Sequence, residues 1–305
     1  MNTTSGTILL FYKYVPLENP VAIQDWITNL CNKFNLKGRI ILATEGINAT
    51  VGGSKESCQE FVAELNHHPL FGDIDFKQSN GDARHFPRLK ISIRKEIVAL
   101  GIDPQELTAD QGGTHLTPAQ VHQLLQENPN DLVILDARNN YESRIGAFEG
   151  AVAADIENFR DFPAYIDQHI EQFKDKKVLM YCTGGIRCER ASAYLKKTGA
   201  TQQVYQLTGG IARYVEQFPH GFFKGKNYVF DGRIAMNVSN DVLSNCDWCK
   251  VSCDEYSNCI NASCNKKIIC CTSCLSKHNN TCTTNCRALV ANNQVKIRSK
   301  PARIN

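Results

Sequence analysis

The sequence predicts three units in series: an α+β domain, an α/β domain with a parallel sheet, and a small cysteine-rich module. Three observations lead there. The first hundred residues alternate short apolar strands with two amphipathic helices. The middle of the chain holds two continuous apolar runs, Leu132–Leu135 and Val178–Tyr181, each followed by a chemically capable residue. Ten of the fourteen cysteines fall between Cys246 and Cys286.

Residues 1–100 read as strand, helix, two strands, helix, strand. Thr7–Tyr12 is a short apolar strand. Asn19 caps a helix that has Pro20 at its first position, and Ile23, Trp26, Ile27 and Leu30 form one face. Arg39–Ala43 and Ile47–Val51 flank a turn at Glu45-Gly46. Ser54 opens the second helix, where Cys58, Phe61, Val62 and Leu65 repeat the helical spacing. Asp75–Gln78 is a further short strand. Leu89, Ile91 and Ile93 alternate with Lys90, Ser92 and Arg94, the period of a half-buried strand. This is the order of a ferredoxin-like βαββαβ unit.

Residues 101–114, with Gly101, Pro104, Gly112 and Gly113 and no periodicity, read as a linker. The second domain, 115–222, opens on the capping box Thr117-Pro118-Ala119-Gln120. Runs apolar throughout suit strands covered on both faces, and in open α/β sheets sites gather at the strands' carboxyl ends. One run ends at Asp136 and the other at Cys182.

Cys182-Thr183-Gly184-Gly185-Ile186-Arg187 lies between that second run and an amphipathic helix ending at Gly199. Adjacent glycines let successive N–H groups turn inward, and a helix N-terminus favours negative charge there. Arg187 adds a cation. All three favour thiolate over thiol, and the thiolate is the nucleophile. Cys188, next in sequence, has two readings: a packed thiol, or a partner that resolves an oxidised Cys182. Over about residues 115–220 the sequence resembles the rhodanese family, on this loop, Asp136-Ala137-Arg138, Gly146-Ala147-Phe148-Glu149-Gly150-Ala151 and Leu207-Thr208-Gly209-Gly210. The resemblance implies a rhodanese-like α/β fold, with Asp136 and Arg138 shaping and charging the site. Four residues separate Cys182 from Arg187, where cysteine-dependent phosphatases have five, which points away from a phosphate cradle and toward sulfur or other thiol chemistry.

A net charge of +3 does not by itself mark a nucleic-acid binder. No stretch approaches a membrane span and no signal peptide is visible, so a cytoplasmic protein is expected. In a reducing compartment, fourteen cysteines point to catalysis or metal before disulfides. After a connecting segment, 223–245, the module 246–286 carries the knuckles Cys246-x2-Cys249 and Cys271-x2-Cys274, with Cys259 and Cys264 among those left for a second site. The expected ion is structural zinc, its cysteine pairing unassigned. The tail 287–305 holds Arg287, Lys296, Arg298, Lys300 and Arg303 and no acid. No flavin fingerprint, haem attachment motif or histidine-carboxylate iron site is visible.

The three-part arrangement resembles the oxygen-dependent tRNA uridine hydroxylase family. Matching segments include Glu45-Gly46-Ile47-Asn48, Phe86-Pro87-Arg88-Leu89-Lys90, Cys182 through Glu189, and Gly225-Lys226-Asn227-Tyr228-Val229-Phe230-Asp231. The resemblance covers about residues 5–275 and implies hydroxylation of the wobble uridine, position 34, to 5-hydroxyuridine. Molecular oxygen would be co-substrate, the anticodon loop of tRNA the partner, and the electron donor is not readable. RNA contacts are expected from Arg84, His85, Arg88 and Lys90, with Arg94 and Lys95 in the same stretch. Lys224 and Lys226 add charge beside the stacking candidates Phe222, Phe223, Tyr228 and Phe230. Two other classes compete: a sulfurtransferase carrying a Cys182 persulfide, and a zinc-stabilised RNA-binding or scaffold module.

Overall fold

The computed structural model describes residues 6–264 and 266–298; Lys300 and Arg303 lie outside them. In the N-terminal domain, β1 (Gly6–Tyr14), α1 (Pro20–Lys33), β2 (Lys37–Ala43), β3 (Gly46–Ser54), α2 (Lys55–His67) and β4 (Lys77–Asn80) follow one another. The sheet order is β4-β1-β3-β2, all antiparallel, and β5 (Leu89–Ile93) is added beside β2 in parallel. The ferredoxin-like unit is thus closed by β4, two residues later than the strand expected at Asp75–Gln78, while the alternating Leu89–Ile93 segment is a fifth strand.

Asn19 and Ser54 cap the helices as expected, accepting from Ala22 N–H and Ser57 N–H at 3.1 Å each. Along β1 the period of two divides the labour. Leu9 and Phe11 are buried in the core with Ile27, Cys31, Phe61 and Leu65. Leu10, Tyr12 and Tyr14 take the opposite face, toward the next domain.

The α/β domain runs through β6 (Thr114–Leu116), α3 (Pro118–Glu127), β7 (Leu132–Asp136), α4 (Asn140–Ser143), β8 (Gly146–Phe148), β9 (Val152–Ala153), α5 (Phe162–Gln168), β10 (Lys177–Tyr181), α6 (Ile186–Thr198), β11 (Val204–Leu207) and α7 (Gly210–Gln217). Its parallel sheet has the order β6-β11-β10-β7-β9. The two apolar runs, β7 and β10, are neighbours near its centre, so Asp136 and Cys182 emerge side by side at their carboxyl ends. The segment expected as a linker is packed: Leu107, like Leu100 just before the segment, belongs to this domain's core, and Arg190 of α6 donates to the carbonyls of Ile102 and Leu107.

The segment expected as a connector, 223–245, contains β12 (Phe223–Tyr228), paired antiparallel to β8 on one side and β13 (Ala235–Asn237) on the other. The cysteine module adds the two-stranded β14 (Tyr256–Asn258) and β15 (Lys267–Ile269), then α8 (Thr272–Lys277) and α9 (Thr284–Ala291). The boundary expected at residue 287 falls inside α9, and Ile297 bridges back to Asn261. Among the described residues no helix is long and apolar enough to cross a membrane.

Candidate active site

Cys182 leaves β10 into a loop that curls around its own sulfur. Gly185, at φ 103°, caps α6 and donates its N–H to the Cys182 Sγ at 3.1 Å. The second glycine pair acts from outside. Gly210 opens α7 at φ 64°, and a Cβ there would stand 2.4 Å from the Cys182 carbonyl oxygen and 2.7 Å from the Gly185 nitrogen. With glycine in place, the N–H groups of Ile211 and Ala212 bond the carbonyls of Cys182 and Thr183 at 2.9 and 3.0 Å. The start of α7 therefore clamps the loop, which gives the Leu207-Thr208-Gly209-Gly210 segment a physical reason.

Burial alone pushes the Cys182 thiol up, because the site is closed. The Cys188 thiol, the Arg187 charge and the N–H groups of Arg187 and Gly185 outweigh it, and the thiol is brought down to about 5. Cys188 is moved the other way by burial and by the neighbouring Cys182 charge, well above the usual thiol range. One sulfur of the pair is thus an anion at neutral pH and the other a proton donor to it.

Arg187 does not point an empty fork at the sulfur. It forms a two-pronged pair with buried Glu142 at 2.6 and 2.7 Å, and Thr183 Oγ1 donates to the same carboxylate at 3.3 Å. Burial raises Glu142, but Arg187, then Arg138, outweigh that and hold it below the usual carboxylate range. Asp136 and Arg138 pair with each other, and Arg138 also donates to the Gly146 carbonyl at 2.5 Å. Neither is bonded to Cys182; they tie β7 to β8 beside the site. Phe148 stands edge-on to Tyr181, Tyr214 and Phe223, as part of the core.

The N-terminal domain covers the loop from the other side. Tyr12 donates to Glu189 of α6 at 2.8 Å, and its hydroxyl would lie 2.7 Å from a Cβ at Gly185. Tyr14 donates to the Ile186 carbonyl at 3.3 Å. Burial, then the Glu189 charge, keeps Tyr12 protonated far above pH 10. Glu189 also holds Gln206 at 3.0 Å and His115 at 3.2 Å, and that contact raises His115. Beyond Tyr14 a cleft of about 460 Å³ opens between Glu45 and residues 104–110. Glu45 and Asn48 of the Glu45–Asn48 segment hold the Ile97 N–H and carbonyl at 2.7 and 2.9 Å, which seats the interdomain strap.

The expected RNA contacts separate into groups. Arg84, Arg88, Lys90, Arg94 and Lys95 are exposed, Arg84 while paired to Asp82. His85 is half-buried and completes a capping box with Asp82. Lys224 donates to the Gly221 carbonyl at 3.0 Å. Lys226 is engaged by Asp254 and Glu255 at 2.9 Å each, so it fastens the cysteine module to β12 and is not open to a phosphate. Phe223 and Tyr228 are buried, Phe222 is half-buried, and Phe230 is exposed. The first two are core residues and not stacking surfaces.

In the module, eight cysteines form two sets whose sulfurs lie within 4.8 Å of one another: Cys246, Cys249, Cys271, Cys274, and Cys259, Cys264, Cys282, Cys286. Sulfur separations of 3.7 Å (Cys249–Cys271), 3.5 Å (Cys264–Cys282) and 3.6 Å (Cys282–Cys286) fit the tetrahedral edge of about 3.8 Å expected for metal–thiolate bonds of about 2.3 Å. Cys282 and Cys286, whose role the sequence leaves open, complete the second set. Cys253 and Cys270 lie outside both.

Three family models match in series: an UPF0176 acylphosphatase-like domain over residues 6–97, a rhodanese-like domain over 117–217, and a rhodanese C-terminal domain over 224–287. The tRNA uridine(34) hydroxylase of Corynebacterium jeikeium is 41% identical over 276 residues, covering 88% of this chain and 89% of its own. That of Pseudarthrobacter chlorophenolicus is 40% identical over 279 residues, covering 88% and 93%. The chain belongs to the tRNA uridine(34) hydroxylase family. Within this hydroxylase family's three-part architecture, the cysteine loop is the point where all three parts converge: β1 covers it, α6 and α7 build it, and the segment after β12 borders it.

Proposed function

We propose that the protein hydroxylates C5 of the uridine at position 34 of tRNA, using molecular oxygen and the Cys182 thiolate as nucleophile. The observation that carries this reading is a sulfur held as an anion at neutral pH by loop amides and Arg187. It occurs in a chain 41% identical over 276 residues to a protein named for that reaction.

In this reading the thiolate bonds C6 of the base, and the double-bond pair moves toward C5 and the O4 carbonyl. C5 then bonds oxygen to give a peroxide. An external donor supplies two electrons, three protons are taken up, one oxygen leaves as water and the other stays on C5 as a hydroxyl. Loss of the C5 proton and of sulfur from C6 restores the double bond and the thiolate. The loop amides, Arg187 and a hydrogen bond from the Cys188 thiol stabilise the negative charge as it returns to the Cys182 sulfur. Asp136, Arg138 and Glu142 hold the loop's surroundings.

Zinc is the ion we assign to both four-cysteine sets, where it supplies folding free energy to a module poor in large apolar residues. A tRNA substrate supports a cytoplasmic location.

The test is deletion of the gene in its host, with mass spectrometry of tRNA nucleosides. We expect hydroxylated wobble uridine to disappear and to return, in oxygen only, with the wild-type chain but not with Cys182→Ser. Thiosulfate turnover without tRNA, together with an unchanged nucleoside profile, would instead move the assignment to sulfur transfer.

A further inference from the structure

Past β12 the chain reaches Phe230, which is 52% exposed and the only exposed phenylalanine, tyrosine or tryptophan among the described residues. An exposed ring alone carries no meaning. This one has specific neighbours. The Arg187 guanidinium carbon lies 5.7 Å from its centroid, and the buried Tyr228 ring meets it edge-on at 5.3 Å. Tyr228 in turn carries Lys267, whose ammonium is 4.4 Å from that ring's centroid and 3.5 Å from that of Tyr141.

Lys267 comes from β15 of the cysteine module, a strand held between the two four-cysteine sets. Its contacts are aromatic faces, and the nearby Glu142 carboxylate acts on it only from beyond ion-pair distance. Rings replace only part of the hydration an ammonium loses on burial. Burial pushes this lysine down to about 8. An anion at this position would restore what is missing.

The same rim continues onto the N-terminal domain. The Gly232 N–H, two residues past Phe230, donates to the His85 carbonyl at 2.9 Å, and Arg233 donates to Ser79 and Asn80 at 2.9 and 2.8 Å. Arg84, the residue before His85, has its side chain 71% exposed. The cleft beyond Tyr14 is a poorer place for RNA, because its lining includes Glu45 and Asp110 and no lysine or arginine.

We propose that Phe230 and Lys267 form a nucleotide subsite at the mouth of the cysteine loop, Phe230 stacking an unpaired base and the Lys267 ammonium taking a backbone phosphate. The inference rests on the tRNA reading above and makes the cysteine module part of the binding site. Stacking on an aromatic ring tolerates any base, so this subsite contributes affinity and position, while selection of uridine lies deeper.

The test uses the full-length, metal-loaded chain and an anticodon stem-loop RNA bearing uridine at position 34. Dissociation constants, KM, kcat and the rate of Cys182 alkylation are measured for wild type, Phe230→Ala, Phe230→Trp, Lys267→Gln and Lys267→Arg. For Phe230→Ala we expect binding weaker by about 5- to 100-fold and a matching rise in KM, with alkylation unchanged and Phe230→Trp close to wild type. For Lys267→Gln the salt dependence of log K should lose about 0.7 in slope, restored in Lys267→Arg. Affinity and KM within twofold of wild type in both Phe230→Ala and Lys267→Gln would overturn the subsite while leaving the hydroxylase reading standing. Slowed alkylation in step with lost binding would mark Phe230 as a support of the loop, and would overturn it too. Failure of the wild-type chain to bind or hydroxylate this RNA would instead bring down the tRNA reading, and the subsite with it.

Discussion

The loop at residues 182–187 and the module at residues 246–286 both bring cysteines together, by opposite physical means. In the loop, one sulfur is made an anion by what surrounds it: an N–H at 3.1 Å, a neighbouring thiol and an arginine, in a fully buried place. The scaffold exists without that charge, since β10, α6 and the α7 clamp hold the backbone. In the module the dependence runs the other way. The strands are three residues each, half of the buried core cluster is cysteine, and two sets of four sulfurs converge where they could hold metal ions. Sulfur in the loop is a consequence of the fold, and sulfur in the module is a cause of it.

The contrast breaks most visibly on metal removal. Chelation under mild denaturant should release two zinc ions per chain, one from each four-cysteine set, and collapse the module's near-ultraviolet signal. Cys249→Ser and Cys264→Ser should each remove one equivalent, measured by elemental analysis, while Cys182→Ser removes none. A Cys264→Ser chain still holding two equivalents would refute the pairing of the second set.

A smaller effect sharpens the loop's side of the contrast. Arg187→Ala leaves Glu142 buried without its partner and should cost about 3–5 kcal/mol in denaturant unfolding. The double variant with Glu142→Gln should recover part of that loss, because the uncompensated charge goes too. Additive losses would show that the two side chains act independently.

The smallest effect concerns charge alone. A thiol with a lowered pKa is thiolate above that value and protonated below it. Alkylation of Cys182 should therefore be level from pH 8 down to about 6 and half-maximal near 5. Cys31 and Cys58, which burial raises to about 12 and about 11, should remain unmodified throughout. An inflection near 8.5, the ordinary thiol value, would mean that the loop does nothing to the sulfur.

Local signals in the sequence were enough for the features made of neighbouring residues. The thiolate loop, the caps at Asn19, Ser54 and Thr117, and the first cysteine knuckles are of this kind. Features made by distant residues were silent. Glu142 sits on a one-turn helix, where its spacing from Asn139 reads as a capping box; nothing local tells that Arg187 is its partner. Tyr12 and Tyr14 look like ordinary members of an apolar strand, and only the placement of β1 against α6 makes them the loop's cover. The strand β4, Lys-Gln-Ser-Asn, has no apolar alternation because it is an edge, so it lies two residues past the expected Asp75–Gln78, whereas β5 lies where its alternation predicts. Nothing local to Lys226, expected among the RNA contacts, or to Lys267 tells how either is engaged. One is closed off by two carboxylates and the other lies open between rings, a difference that comes from how the module folds back on β12 and Tyr141.

The burial of Cys182 bears on how long the protein lasts. An ionised sulfur is the form that peroxide attacks, and attack needs access. A chain that keeps a sulfur ionised faces that hazard whenever its site is empty. With Leu10, Tyr12 and Tyr14 laid over the loop, dissolved oxidants reach the sulfur more slowly than they would an open thiolate. The same strand that completes the site then also preserves it through storage, and an N-terminal domain displaced from α6 would leave a chain that rusts.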